Sequence, residues 1–209
     1  MDVTFTMLLS VAAFILGAVP FSVIVGRLAL KRDITSYGDG NPGAVNVFRA
    51  GGRKTGFLAV ALDVAKGVPM VLLSHTMFNL PALATVFIAV SAILGHAFSP
   101  FLRWRGGKAI CVTFGVMLGL PSLEVLLAFI VFVLIGFILI EIDAWKIIFG
   151  AVGALVFLFV TKASSWELAL MFLILCILAF KHFEALHTLP HFRGMLVRWV
   201  QSLIRSAMF

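Results

Sequence analysis

"TFTMLLSVAAFILGAVPFSVIVGRLAL", residues 4–30, carries one charged side chain, Arg27, and no acidic one. A helix needs about 20 apolar residues to cross the ~30 Å hydrocarbon core of a bilayer, and this stretch is long enough. Six further apolar stretches follow at 56–78, 82–99, 109–120, 122–140, 146–162 and 166–183. The chain as a whole is 62% hydrophobic and 12% charged. A soluble domain is roughly half apolar and a quarter charged. These features predict an all-α polytopic membrane protein with seven transmembrane helices, forming one domain over residues 1–186. The fourth stretch is short and is expected to tilt, kink or sink beside polar residues. Pro81 and Pro121 punctuate very short connections. The extreme N-terminus has Asp2 and no Lys or Arg ahead of the apolar run, so the first helix is expected to be retained.

The net charge of +7 has two readings, nucleic-acid binding or membrane orientation. Seven crossings put alternate loops on opposite sides. With the N-terminus outside, thirteen Lys and Arg fall in inner loops or the C-terminal region, and Lys162 alone falls outside. Arg27 and Lys66 lie within helices. This asymmetry predicts an outer N-terminus and a cytoplasmic C-terminus. It accounts for the basic balance without nucleic acid as a partner. Cys111 and Cys176 sit in apolar runs without metal-ligand spacing and are expected as buried free thiols.

Four polar clusters share the cytoplasmic side of this topology. The first, "SYGDGNPGAVNVFRAGGRK", residues 36–54, holds Asp39, Gly40, Asn41, Gly43, Asn46 and Arg49. Glycines permit positive φ and bare the backbone N–H groups. Such groups can cradle a phosphate, and Arg can bind it bidentately. If a helix begins near Asn46, that residue shares a face with Arg49. The second, "GHAFSPFLRWRGGKA", residues 95–109, places His96 at the end of a membrane helix. It sets Arg105, Gly106, Gly107 and Lys108 just before the short fourth helix, a second candidate anion site. The spacing is not that of a P-loop. A plain reading of both is solvated basic loops obeying the positive-inside rule. The third, "LDVAKG", residues 62–67, puts Asp63 and Lys66 one helical turn apart within a membrane helix, where ionisable residues are costly. They form either a self-satisfied pair or a device that positions the loops. In the fourth, "KHFEALH", residues 181–187, His182 and Glu184 are two apart and do not share a face.

Together "GAVPFSVIVGRL", "DITSYGDGNPGAVNVFRAGGRKTGFLAVALDVAKG" and "GHAFSPFLRWRGGK" resemble the bacterial acyl-phosphate:glycerol-3-phosphate acyltransferases, the PlsY-like membrane family. The resemblance covers most of the chain and is closest over Gly17–Lys108. It implies transfer of a fatty acyl group from acyl-phosphate to glycerol 3-phosphate, giving lysophosphatidic acid for phospholipid synthesis. It further implies no cofactor, no metal, and a location in the bacterial cytoplasmic membrane with the site facing the cytoplasm. Carried onto this chain, it gives Asp39, Asn46, Arg49, Lys108 and His182 as the catalytic group. Gly40, Asn41, Gly43, His96, Arg105, Gly106, Gly107 and Glu184 become substrate-binding residues, with Asp63 and Lys66 positioning them.

The chain departs from the family pattern at several places. Asp39 replaces a Ser, Val45 a Thr and Ala185 an Asn, and "EIDAWK" (141–146) stands where the family carries a Ser-bearing turn. A Ser hydroxyl can donate to a phosphate oxygen, whereas an ionised Asp39 only accepts. Two alternatives therefore stay open: a homologue with another acyl acceptor, and an inactive membrane subunit or lipid-binding partner. Fold alone does not choose among them. Beyond the family's usual end, residues 187–209 read as a basic amphipathic helix. Arg198 and Arg205 lie seven apart, with an apolar stripe of Trp199, Val200, Leu203 and Ile204. Such a helix would lie on the inner leaflet or dock a protein partner.

Overall fold

The computed structural model of the protein describes residues 3–194. Their regular structure is helical; the one β-type feature among them is an isolated antiparallel bridge between Ile140 and Phe192. All seven apolar stretches contain helix. Four segments are long and apolar enough to cross a membrane: Val3–Leu30, Arg53–Thr76, Ala82–Leu102 and Asp143–Val160. The other three helices are α7 (Ile110–Leu118, 9 residues), α8 (Glu124–Leu139, 16 residues) and α10 (Ser165–Lys181, 17 residues). Each is shorter than the about 20 residues of a full perpendicular crossing.

The opening stretch is a broken helix. α1 (Val3–Ala18) stops before Pro20, and α2 (Phe21–Val25) resumes and runs into a π-helical turn at Gly26–Leu30. Pro20 has no N–H to donate and pushes Val19 away from helical geometry. Side chains from elsewhere in the chain serve the carbonyls at the break. Ser99 Oγ donates to Ala18 O at 2.6 Å, and Lys66 Nζ donates to Val19 O at 2.7 Å.

α1 lies along α6 (Ala82–Ala97). A Cβ on Gly17 would sit 2.1 Å from Ala92 O, and one on Gly95 would sit 2.1 Å from Phe14 O. Between membrane helices the hydrophobic effect supplies little drive, so backbone approach over small residues holds the contact. The second long segment consists of α4 (Arg53–Ala65) and α5 (Val68–Thr76), joined at Lys66–Gly67. Ser74 on α5 reaches Thr85 on α6 across 3.0 Å. α8 pairs with α9 (Asp143–Val160), and α10 packs against α9 and α6. The short α7 sits in the middle of the bundle, with Val112, Thr113, Val116 and Met117 wholly buried. Its length matches its place: one face is wholly buried in the bundle, and its nine residues are too few to reach across a bilayer.

At one end of the bundle, the loop after α2 carries α3 (Ala44–Arg49). Beside it lie the 99–109 loop, the α8–α9 turn and the end of α10. There α11 (Phe183–Leu186) follows His182. The helix expected from residue 187 does not begin there. Residues 188–193 instead run against the α8–α9 turn. Glu141 N–H donates to His191 O at 2.9 Å, Arg193 N–H to Leu139 O at 3.0 Å, and Trp145 Nε1–H to Thr188 O at 2.7 Å. Pro190 lacks the donor a helix would need. The remainder of that expectation, with Arg198 and Arg205, lies outside the described residues. The expected burial of both thiols also fails: Cys111 is partly exposed and Cys176 is exposed on α10. Cys176, on the outer face of a membrane helix, needs no protein cover, whereas Cys111 on α7 borders a cavity in the bundle.

Candidate active site

α3 is short, and its purpose is visible in its side chains. Gly43 starts it in an extended conformation, and Asn46 and Arg49 share one face, as their spacing predicts. Arg49 Nη1–H donates to Asn46 Oδ1 at 3.1 Å. The Asn46 amide, almost fully buried, turns its two N–H groups on Asp39 Oδ1 (3.0 Å) and Asn41 O (2.8 Å). Asn41 N–H adds a 3.3 Å bond to the same Asp39 oxygen. The loop is thus folded around the Asp39 carboxylate. Its other oxygen accepts from Lys108 Nζ at 2.7 Å, and Arg49 Nη1 lies 3.6 Å from the first. Partial burial pushes the Asp39 pKa up. The Lys108 hydrogen bond and charge, with the Asn41 and Asn46 donors, outweigh it and hold the carboxyl at about 2.

The glycines serve this arrangement differently from expectation. Gly40 has φ +71, as a tight turn requires, but its N–H is taken by Tyr37 O at 3.1 Å. The Gly43 N–H is taken by Asn41 O at 2.8 Å and that of Gly107 by His96 O at 3.1 Å. These three N–H groups do not form a bare cradle; the cationic groups beside Asp39 are the Arg49 and Lys108 side chains. Gly106 and Gly107 are needed for another reason. A Cβ on Gly106 would meet His96 O at 2.0 Å, and one on Gly107 would meet His96 Nε2 at 2.3 Å. The "RGGK" backbone lies directly on the end of α6, which brings Lys108 to Asp39.

A cavity of about 530 Å³ opens at this end of the bundle. Its polar mouth takes Asp39, Asn41, Gly43, Arg49, Lys108, Asp143 and His182, with Asp63 and His96 also lining it. Its apolar wall comes from Val60, Ile110, Phe114, Val133, Phe137 and Ile147. Asp63 and Lys66 are paired at 2.7 Å, both buried, and Ser22 Oγ donates to Asp63 Oδ2 at 2.5 Å. His96 Nδ1 lies 3.9 Å from Asp63 Oδ1. His182 is buried, and its Nδ1 meets Leu178 O at 2.8 Å. A carbonyl oxygen only accepts, so Nδ1 carries the proton and the neutral ring leaves Nε2 as an acceptor.

Other expected site residues stand back from the cavity. Asn46 and Lys66 lie behind it as supports, and Gly106 and Gly107 pack on α6. Arg105 and Glu184 are exposed and do not line it. Three residues were missed by sequence reasoning. Asp143 lines the cavity and accepts from the buried Lys146 at 2.6 Å, in the same i, i+3 spacing as Asp63 and Lys66. That repeated spacing is the available signal, beside the orientation charge that Lys146 also contributes. Lys181 donates to Ala97 O at 2.9 Å and Gly106 O at 3.1 Å, fastening α10 to the "RGGK" loop.

A membrane-type helical bundle, with a cationic mouth opening onto an apolar cavity, defines the class: an integral membrane protein suited to an amphiphilic substrate bearing an anionic group. The family model for glycerol-3-phosphate acyltransferase matches residues 7–191, and the chain belongs to that family. It is 33% identical over 173 residues to the glycerol-3-phosphate acyltransferase of Lactococcus lactis subsp. lactis (strain IL1403), covering 83% of this chain and 80% of that one. It is also similar to two crystal structures of PlsY (YgiH), an integral membrane glycerol 3-phosphate acyltransferase. The glycerol 3-phosphate form superposes with a TM-score of 0.78 at 27% identity, covering 93% of this chain and 98% of that one. The lysophosphatidic acid form gives 0.76 at 28% identity, covering 91% and 96%.

Proposed function

We propose that the protein transfers a fatty acyl group from an acyl-phosphate to the 1-hydroxyl of glycerol 3-phosphate, releasing lysophosphatidic acid and inorganic phosphate. The observation that carries this reading is the union of the Arg49–Lys108 mouth with an apolar wall of Val60, Phe114, Val133, Phe137 and Ile147 in one cavity. One end suits phosphate and the other an acyl chain.

The acceptor oxygen attacks the acyl carbonyl carbon, the bond from that carbon to the phosphate oxygen breaks, and the phosphate leaves with the electron pair. The acceptor's own phosphate takes the hydroxyl proton. Lys108 and Arg49 hold phosphate oxygens and stabilise the charge that develops at the carbonyl, and the Asn41 amide orients the acceptor. His182 offers Nε2 to a substrate hydroxyl. His96 and Asp63 form the floor, with Lys66 balancing Asp63. Gly40 and Gly43 shape the loop around Asp39, and Gly106 and Gly107 set Lys108.

The same reading places seven helical segments in the cytoplasmic membrane of a bacterium, with the N-terminus outside and the cavity mouth at the cytoplasmic surface. The skew of Lys and Arg toward one set of loops supports it.

The test is direct. Purified protein in lipid is given acyl-phosphate and glycerol 3-phosphate, and the products are read by mass spectrometry. Lysophosphatidic acid is expected. Bound acyl-phosphate with no acyl-glycerol product would overturn the acceptor assignment.

A further inference from the structure

The Asp39 carboxylate is held like a bound ligand. Three donors fix it from the protein side: Asn46 Nδ2, the Asn41 N–H and Lys108 Nζ. It stands between the two cations that give the mouth its anion-binding capacity, 2.7 Å from Lys108 and 3.6 Å from Arg49. The charge of the whole site follows from its pairs. Asp39, Asp63 and Asp143 face Lys108, Arg49, Lys66 and Lys146, three anions against four cations. Lys66 and Lys146 are each consumed by their own carboxylate, so the free capacity of the mouth is Arg49 and Lys108 less Asp39.

We infer that Asp39 is a specificity-determining residue. Its fixed carboxylate competes with substrate phosphate for Lys108 and Arg49, and so sets how tightly the site holds a phosphate group. This rests on the proposed activity only for which phosphate is meant, that of the acceptor or that of the acyl donor. An incoming phosphate oxygen must displace Asp39 from Lys108 or share the ammonium with it, and either way it meets a like charge a few ångströms away. The site therefore binds phosphate loosely and releases it readily. Because inorganic phosphate is itself a product of the proposed reaction, weak retention also limits product inhibition.

An alternative role for Asp39 is to hold Lys108 and Arg49 in place, and it predicts the opposite sign. Removing the carboxylate would then disorder both cations and weaken phosphate binding.

The experiment compares the full chain with Asp39→Asn, Asp39→Ser and Asp39→Glu in detergent or lipid. Binding of inorganic phosphate is measured by calorimetry on the resting protein, and KM and kcat are measured for each substrate separately. Thermal unfolding monitors the fold. Asp39→Asn and Asp39→Ser are expected to bind phosphate about five- to tenfold more tightly, the range set by losing one part-exposed ion pair and its repulsion of the ligand. Asp39→Glu, which keeps the charge, stays near the parent. The substrate whose KM falls identifies the phosphate that meets Asp39, while kcat changes less. Weaker or unchanged phosphate binding in both neutral variants overturns the inference, as does equal tightening in Asp39→Glu. If no chain makes lysophosphatidic acid but the neutral variants still gain phosphate affinity, the proposed activity fails and the Asp39 assignment stands.

Discussion

Lys66 on the second long segment donates to the carbonyl oxygen of Val19 at 2.7 Å, fastening the break in the first helix to the floor of the cavity. The same ammonium stands 2.7 Å from Asp63 Oδ1, and the pair is almost wholly buried. One side chain thus serves a proline-interrupted helix and a pocket-lining carboxylate.

Removing one member of that pair strands the other in a low-dielectric interior, at a cost of about 3–5 kcal/mol. Lys66→Met is therefore expected to lower the thermal unfolding midpoint in detergent sharply. The double variant Asp63→Asn with Lys66→Met should recover the part of the loss due to the stranded carboxylate, leaving the part due to the unserved Val19 carbonyl. A double variant no more stable than the single would sink the ion-pair account.

Asp39 is depressed from 3.8 to about 2, with burial raising it and Lys108, Asn41 and Asn46 lowering it more. A depressed carboxyl contributes stability that is present above its unfolded pKa and is lost as pH falls through its folded one. The stability difference between parent and Asp39→Asn should hence stay flat from about pH 5 upward and shrink between about pH 4 and 2. Unfolding scans across that range check it; a difference that changes between pH 6 and 8 would assign the titration to another group.

Gly107→Ala places a methyl where His96 Nε2 stands at 2.3 Å, and Gly106→Ala would meet His96 O at 2.0 Å. Backbone or ring must move, at about 1–3 kcal/mol. Both variants are expected to lose transfer through displacement of Lys108, with KM for the phosphate substrate rising before kcat falls. A Gly106→Ala enzyme with parental KM would show that the "RGGK" approach to α6 is not critical.

Lys108→Ala and Arg49→Ala each remove half of the cationic mouth. Both should fold normally and lose phosphate-dependent transfer by at least about 100-fold, the scale of a lost charge-stabilising donor. Normal turnover in a folded Lys108→Ala protein would remove the mouth from the mechanism.

Val60 lines the apolar wall from α4, partly buried and packed beside the core cluster that includes Val23 and Ala59, so Val60→Phe takes up cavity space, with thermal unfolding as the check on the core. Transfer from long-chain acyl-phosphate should fall relative to short-chain donor. Equal loss for both chain lengths would place the acyl group elsewhere.

Much of this arrangement could be read from residue pattern. The seven apolar stretches each hold helix, because hydrophobicity over that length has few other outlets. Asn46 and Arg49 share a face because helical spacing dictates it. Where the reading missed, long-range geometry was decisive. Pro20 marks the break in the first helix, but nothing local says that Ser99 and Lys66 will serve its carbonyls. Gly106 and Gly107 stand out in the sequence as a candidate anion site, whereas the structure shows both packed against the end of α6. Their sequence cannot show that the end of α6 lies against them. Lys146 and Lys181 were read as orientation charges, yet one is buried against Asp143 and the other binds two carbonyl oxygens of the 97–106 segment.

The cavity joins a wet mouth to a greasy wall, and that continuity changes what concentration means for the donor. Under the proposed reaction, a donor whose tail dissolves in the bilayer would meet the site by lateral diffusion in two dimensions, while its partner would arrive from the aqueous side. Turnover on such a donor should follow its mole fraction among the surrounding lipids and fall on surface dilution with inert lipid at constant bulk amount. Its rate law is that of an interface.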